Sequence, residues 1–166
     1  MSRNHNRPTR LIVILATVTA LTCAMNISTA IRFRDTAGAA QGLELLPVGF
    51  AFDESQSLLT LTMQLLNSSF RKCRLEYLRL TVTIGGQFIG TIVAGHGPRV
   101  TGPSGPEYAQ AASAVEITAS LPLSGVHLSN FLAGVGSGAR PTANGTLTIT
   151  VPSLRAEFDR QVGVRF

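Results

Sequence analysis

Residues 74–91 read RLEYLRLTVTIGGQFIGT. Leu78, Leu80, Val82 and Ile84 alternate with Arg79, Thr81 and Thr83, the period of a strand with one face buried and the other wet. Gly85-Gly86 then interrupts the run. A two-residue hairpin needs positive φ at both central positions, which glycine adopts without steric cost. The stretch is therefore expected to be two antiparallel strands around a tight turn.

The same alternation recurs on both sides. Leu59, Leu61, Met63 and Leu65 carry it upstream, with Val48, Phe50 and Phe52 beginning the series. Downstream it returns at Val115, Ile117, Ala119 and Leu121, at Leu147, Ile149 and Val151, and at Val162, Val164 and Phe166. Asp53 to Ser57 is read as a link between the first two strands, and 95–105 and 134–141 as surface loops. Asn144-Gly145 has the chemistry of Gly85-Gly86 and is expected to turn into the next-to-last strand. Residues 124–135 (SGVHLSNFLAGV) break the pattern and suit a short helix stopped at Gly134. Seven strands and one short helix over 43–166 predict a mainly-β fold, a β-sandwich.

Upstream of this domain, 11–31 (LIVILATVTALTCAMNISTAI) carries no charge. As a helix it spans about 31 Å, close to the hydrocarbon thickness of a bilayer. Arg3, Arg7 and Arg10 precede it; Arg32 and Arg34 follow, with Asp35 beside them. The excess of basic residues on the first flank places the N-terminus in the cytoplasm and the folded domain across the membrane. The expected organisation is a basic tail at 1–10, a transmembrane signal anchor at 11–31, a linker at 32–42 and the sandwich at 43–166. A cleaved secretory signal ending at Thr22 and Ala24, or at Ser28 and Ala30, is the competing reading. A lipid anchor on Cys23 fits less well, because Thr22 is large for the position before such a cysteine.

Charge supports the same division. Of 166 residues 45% are hydrophobic and 14% charged, below the roughly 25% charged of soluble domains. All of the formal +5 lies in residues 1–34, and the nine remaining Lys and Arg are matched by nine Asp and Glu. A neutral domain offers no broad footprint to a phosphate backbone, so no nucleic-acid partner is expected. The cysteines, Cys23 and Cys73, lie in different segments and supply neither a disulfide framework nor a zinc site.

The order of these segments is similar to the type 2 late-embryogenesis-abundant family, with its water-stress and hypersensitive-response (WHy) domain. The resemblance rests on LTLTMQLLNSSF, the 74–91 hairpin, VEITASLPLSGVHLSNFL, GTLTITVPSL and DRQVGVRF, and covers about 43–166. Asn67 matches the asparagine that ends the family's second strand, although Ser68 stands where the family has proline. Tyr77, Gly86 and Gly90 match its middle section. The resemblance implies a seven-stranded sandwich similar to fibronectin type III domains, a role in desiccation or stress tolerance and, for some anchored relatives, lipid carriage.

No residue set points to catalysis, and the chain is not expected to be an enzyme or to hold a metal or cofactor. His5, His96 and His127 have no second ligand at metal-like spacing. Residues 134–139 imitate a dinucleotide fingerprint but follow a helix and precede Pro141, the wrong context. Acidic residues such as Asp53-Glu54 and Glu157 with Asp159 read as solvated turn and edge charges. Arg71, Lys72 and Arg74 form the basic cluster of the domain, read as a charged turn or as a contact with anionic headgroups or a protein partner. Asn67-Ser68-Ser69 and Asn144-Gly145-Thr146 are sequons. The expected role is a structural, stress-protective or protein-binding module beside membrane lipid, with protein partners or a homo-oligomer. A lipid-binding groove is the alternative, and a secreted sandwich the third reading.

Overall fold

The computed structural model describes residues 7–97 and 107–166, with backbone alone at 7–15, 33, 36 and 40. The chain divides into two units, Met1–Ala37 and Gly38–Phe166.

The first unit is helical, and its helix α1 spans Arg7–Gln41. Threonine hydroxyls inside it bond to the helix itself: Thr22 Oγ1 donates to the Val18 carbonyl and Thr29 Oγ1 to the Met25 carbonyl, both at 2.8 Å. These polar groups therefore leave the helix uninterrupted. Val18, Leu21, Met25, Ile27 and Ile31 are exposed along it. Among the described residues no helix is long and apolar enough to cross a membrane. The side chains of Leu11 to Leu15, the most apolar part of the expected span, lie outside the described ones, as do Arg3 and His5. The segment expected as a linker over 32–42 is helical through Gln41.

The second unit is mainly β. Strands β1 (Leu43–Asp53), β2 (Leu58–Asn67) and β6 (Ser113–Pro122) form one antiparallel sheet in the order β1-β2-β6. The other sheet runs β4-β3-β7-β8, from β3 (Cys73–Ile84), β4 (Gln87–Ala94), β7 (Pro141–Val151) and β8 (Ala156–Arg165). An eighth strand beyond the seven expected, β5 (Tyr108–Ala109), pairs with the start of β3. It is two residues long, too short for any periodicity to announce it. The inward residues of both sheets share one core, including Leu59, Leu61, Met63, Leu78, Leu80, Leu147 and Ile149, all fully buried. Helix α2 (Gly125–Gly136) covers one end. Its Phe131 is buried and meets Phe52 with ring centroids 4.7 Å apart.

The central hairpin forms as its glycines require, with φ of 55° at Gly85 and 82° at Gly86. Two other expectations are corrected. Val48 does not join Phe50 and Phe52 on one face, because the β1–β2 register shifts between Pro47 and Gly49 and leaves Val48 bulged outward and exposed. Asn144-Gly145 is not a turn but the middle of β7, paired with β3 on one side and β8 on the other. Glycine is required there by close approach: a Cβ at Gly145 would lie 1.9 Å from the Arg79 carbonyl oxygen.

Register also fixes which loops share an end. Leu43 pairs with Asn67, and Asn67 with Ser113; Arg74 pairs with Tyr108 and with Thr150. The start of β1, the β2–β3 turn and the β7–β8 turn therefore lie together. The Gly85-Gly86 hairpin and α2 lie at the opposite end.

Candidate functional site

The β2–β3 turn, Ser68 to Lys72, is organised by the last residue of β2. Asn67 is fully buried, and a buried amide must find partners for both its ends. Its Nδ2 donates to the carbonyls of Arg71 (2.8 Å), Gln110 (2.9 Å) and Ala109 (3.1 Å). Its Oδ1 accepts from the Ser69 hydroxyl at 2.6 Å and the Ser69 amide at 3.1 Å. One side chain thus ties the turn to itself and to the strand beginning at Tyr108. Ser68 fastens the other side: its amide and hydroxyl donate to the Gly42 carbonyl at 2.7 and 2.8 Å. Beneath lies Cys73, buried, with its thiol pKa raised by burial against smaller opposing effects of Ser69 and Asn67.

On this frame the three basic residues have different surroundings. Arg74 Nε donates to Glu107 Oε1 at 2.7 Å, and its Nη1 to Glu76 Oε1 at 3.1 Å. The Glu107 hydrogen bond, followed by the attraction of both carboxylates, raises the guanidinium pKa above its ordinary value. Arg74 is therefore a strut between β3 and the segment before β5, its charge balanced in place. Lys72 is exposed, with Nζ 3.8 Å from the centroid of the Tyr108 ring, a cation–π pairing that leaves its charge in solvent. Arg71 is half-buried beside it. The residue that the sequence reading passed over is Phe70, 95% exposed at the tip of the turn. Its signal was an aromatic outside the period-two pattern, set among Ser and basic residues.

The other singled-out residues serve the fold. Tyr77 lies at a register shift in β3. Gly86 makes the hairpin turn, and Gly90 packs on β6, where a Cβ would lie 2.7 Å from the Leu121 side chain. Arg32 and Arg34 are exposed on α1; the side chains of Arg7 and Arg10 lie outside the described ones. His127 faces Phe88 edge-on at 5.3 Å, with its Nδ1 buried and unbonded. Among the described residues no three of His, Cys, Asp and Glu are grouped to hold a metal ion. As a sequon, Asn67 has its amide nitrogen already bonded inside the protein.

No protein-family model matches the chain, and no curated protein does. Solved structures do. The ApaA protein of Bordetella pertussis is similar at 13% identity and a TM-score of 0.43, over 75% of this chain and 88% of that one. The archaellum periplasmic stator FlaG of Sulfolobus acidocaldarius is similar at 18% identity and 0.36, over 75% and 99%. A protein described as late embryogenesis abundant is similar at 8% identity and 0.38, over 93% and 87%. At these scores the likenesses carry no inference about ligand or reaction.

Proposed function

We propose that this chain is a non-catalytic β-sandwich module of fibronectin type III-like order, held to a membrane by α1 and displayed on its non-cytoplasmic side. The observation that carries the reading is the distribution of apolar side chains on the helix. Val18, Leu21 and Met25 follow i, i+3, i+7 spacing along one face. The step from Met25 to Ile27 turns about 200°, so Ile27 and Ile31 occupy the opposite face. All five are at least 56% exposed. Apolar side chains exposed on opposite faces of one helix suit lipid rather than a water-facing surface.

Two further observations support the module. Two antiparallel sheets, ordered β1-β2-β6 and β4-β3-β7-β8, supply the two layers that a sandwich module needs. The space between the sheets holds fully buried side chains from both, which favours a closed structural or protein-binding domain over an acyl-chain groove.

Native mass spectrometry of the full chain, extracted in mild detergent from its own membrane, tests the reading. An intact N-terminus, a membrane fraction that resists alkaline carbonate, and no retained lipid in the domain are expected. A mass lacking the first 24 to 30 residues would replace the anchor by a cleaved signal. Lipid that persists after removal of residues 1–34 would revive the groove.

A further inference from the structure

We propose that the β2–β3 turn is a membrane foot: Phe70 enters the headgroup layer of the membrane that holds α1, and Arg71 and Lys72 engage anionic lipid there. The proposal rests on the anchor reading above and adds a surface of the domain that contacts the same bilayer.

Three observations converge on this turn. It carries an aromatic side chain 95% exposed, next to two basic residues. An apolar ring flanked by cations matches the chemistry of an anionic interface, with acyl boundary below and phosphate above. The turn is also preorganised: the Asn67 and Ser69 bonds hold its backbone, so ordering Phe70 at an interface costs little extra conformational entropy.

Its place in the chain is the third observation. Ser68 bonds twice to the carbonyl of Gly42, the residue after the last one of α1. Phe70 therefore sits at the end of the domain where the polypeptide arrives from the apolar helix. The exposed apolar residues of α2 and β4, such as Val126 and Phe88, lie at the other end. Arg155, exposed in the β7–β8 turn, shares the end of the foot and adds a cation. Glu76 and Glu107 are engaged by Arg74, which lowers their repulsion of an anionic surface; Glu44 and Glu157 lie at the same end, opposite Leu66 and Thr150.

The proposal constrains the segment between anchor and domain. Residues 32–41 form about 15 Å of helix at 1.5 Å per residue. A headgroup layer is only roughly 6 Å thick, so an upright segment would hold the turn away from lipid. Contact therefore requires the helix, continuous over Arg7–Gln41, to bend beyond Ile31 at the membrane. This segment then lies along the interface, where Arg32 and Arg34 would reach the headgroups.

The chain contains no tryptophan, so Phe70→Trp introduces a lone fluorescent indole at a solvent-exposed position. The full chain carrying it is reconstituted into phosphatidylcholine vesicles, with and without phosphatidylglycerol, and checked by flotation. The expected result is flotation in both, with blue-shifted emission and loss of most fluorescence to a shallow doxyl-lipid quencher in the anionic vesicles. Adding Arg71→Gln or Lys72→Gln should lower the docked-to-undocked ratio about fivefold per charge. A Phe88→Trp chain should show neither shift nor quenching. If the chain floats while the Phe70→Trp indole emits as in water, the foot is overturned and the anchor stands. Failure to float overturns the anchor and the foot with it. A blue shift that follows protein concentration instead of lipid composition would assign Phe70 to a contact between copies and overturn the foot.

Discussion

Asn67 shows how one side chain can set the shape of a surface that it does not itself reach. The amide nitrogen faces three carbonyl oxygens and the amide oxygen faces Ser69. Alanine would leave those carbonyls short of a donor, and each buried unpaired polar group costs about 1–3 kcal/mol. Asn67→Ala should therefore lower the unfolding free energy by about 3 kcal/mol, read from the urea midpoint of the full chain in detergent. Asn67→Asp should be at least as damaging, because a carboxylate has no N–H to donate and would face carbonyl oxygen. An effect of a few tenths of a kcal/mol would mean that water satisfies the carbonyls and that the turn is not held by this residue. In the sequence Asn67 was legible as a matching position; its burial was not, since an asparagine before Ser-Ser reads equally as an exposed turn residue. Phe70 was hidden for the converse reason: hydrophobicity predicts burial, and only the turn that Asn67 and Ser69 hold puts this ring outside.

At the level of elements, the strands with unbroken alternation could be read directly. β2 has every second residue buried from Leu59 to Asn67, and β3 keeps Leu78, Leu80, Val82 and Ile84 inward. Helix α2 was legible because 124–135 has no period of two. The misreadings came from places where a tertiary neighbour, and not the local sequence, decides. Val48 looked like a core residue, yet a bulge beside Pro47 expels it. Gly145 after an asparagine looked like a turn, yet β3 passes so close that only hydrogen fits. That contact gives a prediction for the element. Gly145→Ala would put a methyl 1.9 Å from the Arg79 carbonyl oxygen, on a strand bonded on both edges. The central pairing must separate, and the cost should exceed about 3 kcal/mol, beyond the range of ordinary overpacking. Gly86→Ala, strained at φ 82° with nothing within 4 Å of its Cβ, should cost only about 1 kcal/mol. Thermal melting of the two variants beside the parent checks the order; equal losses would show that β7 can shift to admit a side chain.

For the whole molecule, the division of charge is the feature that the proposed function must explain. Residues 1–34 hold all of the net +5, and the remainder is neutral. If the first flank stays in the cytoplasm, that asymmetry is an orientation signal; if the domain is not exported, it has no such role. The composition offers a direct probe, because Lys72 is the lone lysine among the 14 basic residues and is exposed beside Tyr108. Besides Lys72, an amine at the N-terminus is open to acylation, and the proposed membrane separates the two. A membrane-impermeant amine-reactive ester, applied to right-side-out vesicles, should modify Lys72 and leave the N-terminus unmodified until the vesicles are opened. Peptide mass spectrometry distinguishes the two sites. Labelling of the N-terminus from outside would invert the orientation, and protection of both would keep the entire chain on the cytoplasmic side. Replacing Arg3, Arg7 and Arg10 by glutamine leaves the basic excess with Arg32 and Arg34, so part of the label should then move from Lys72 to the N-terminus. A labelling pattern indifferent to those replacements would show that folding of the domain, and not flanking charge, determines which side it occupies.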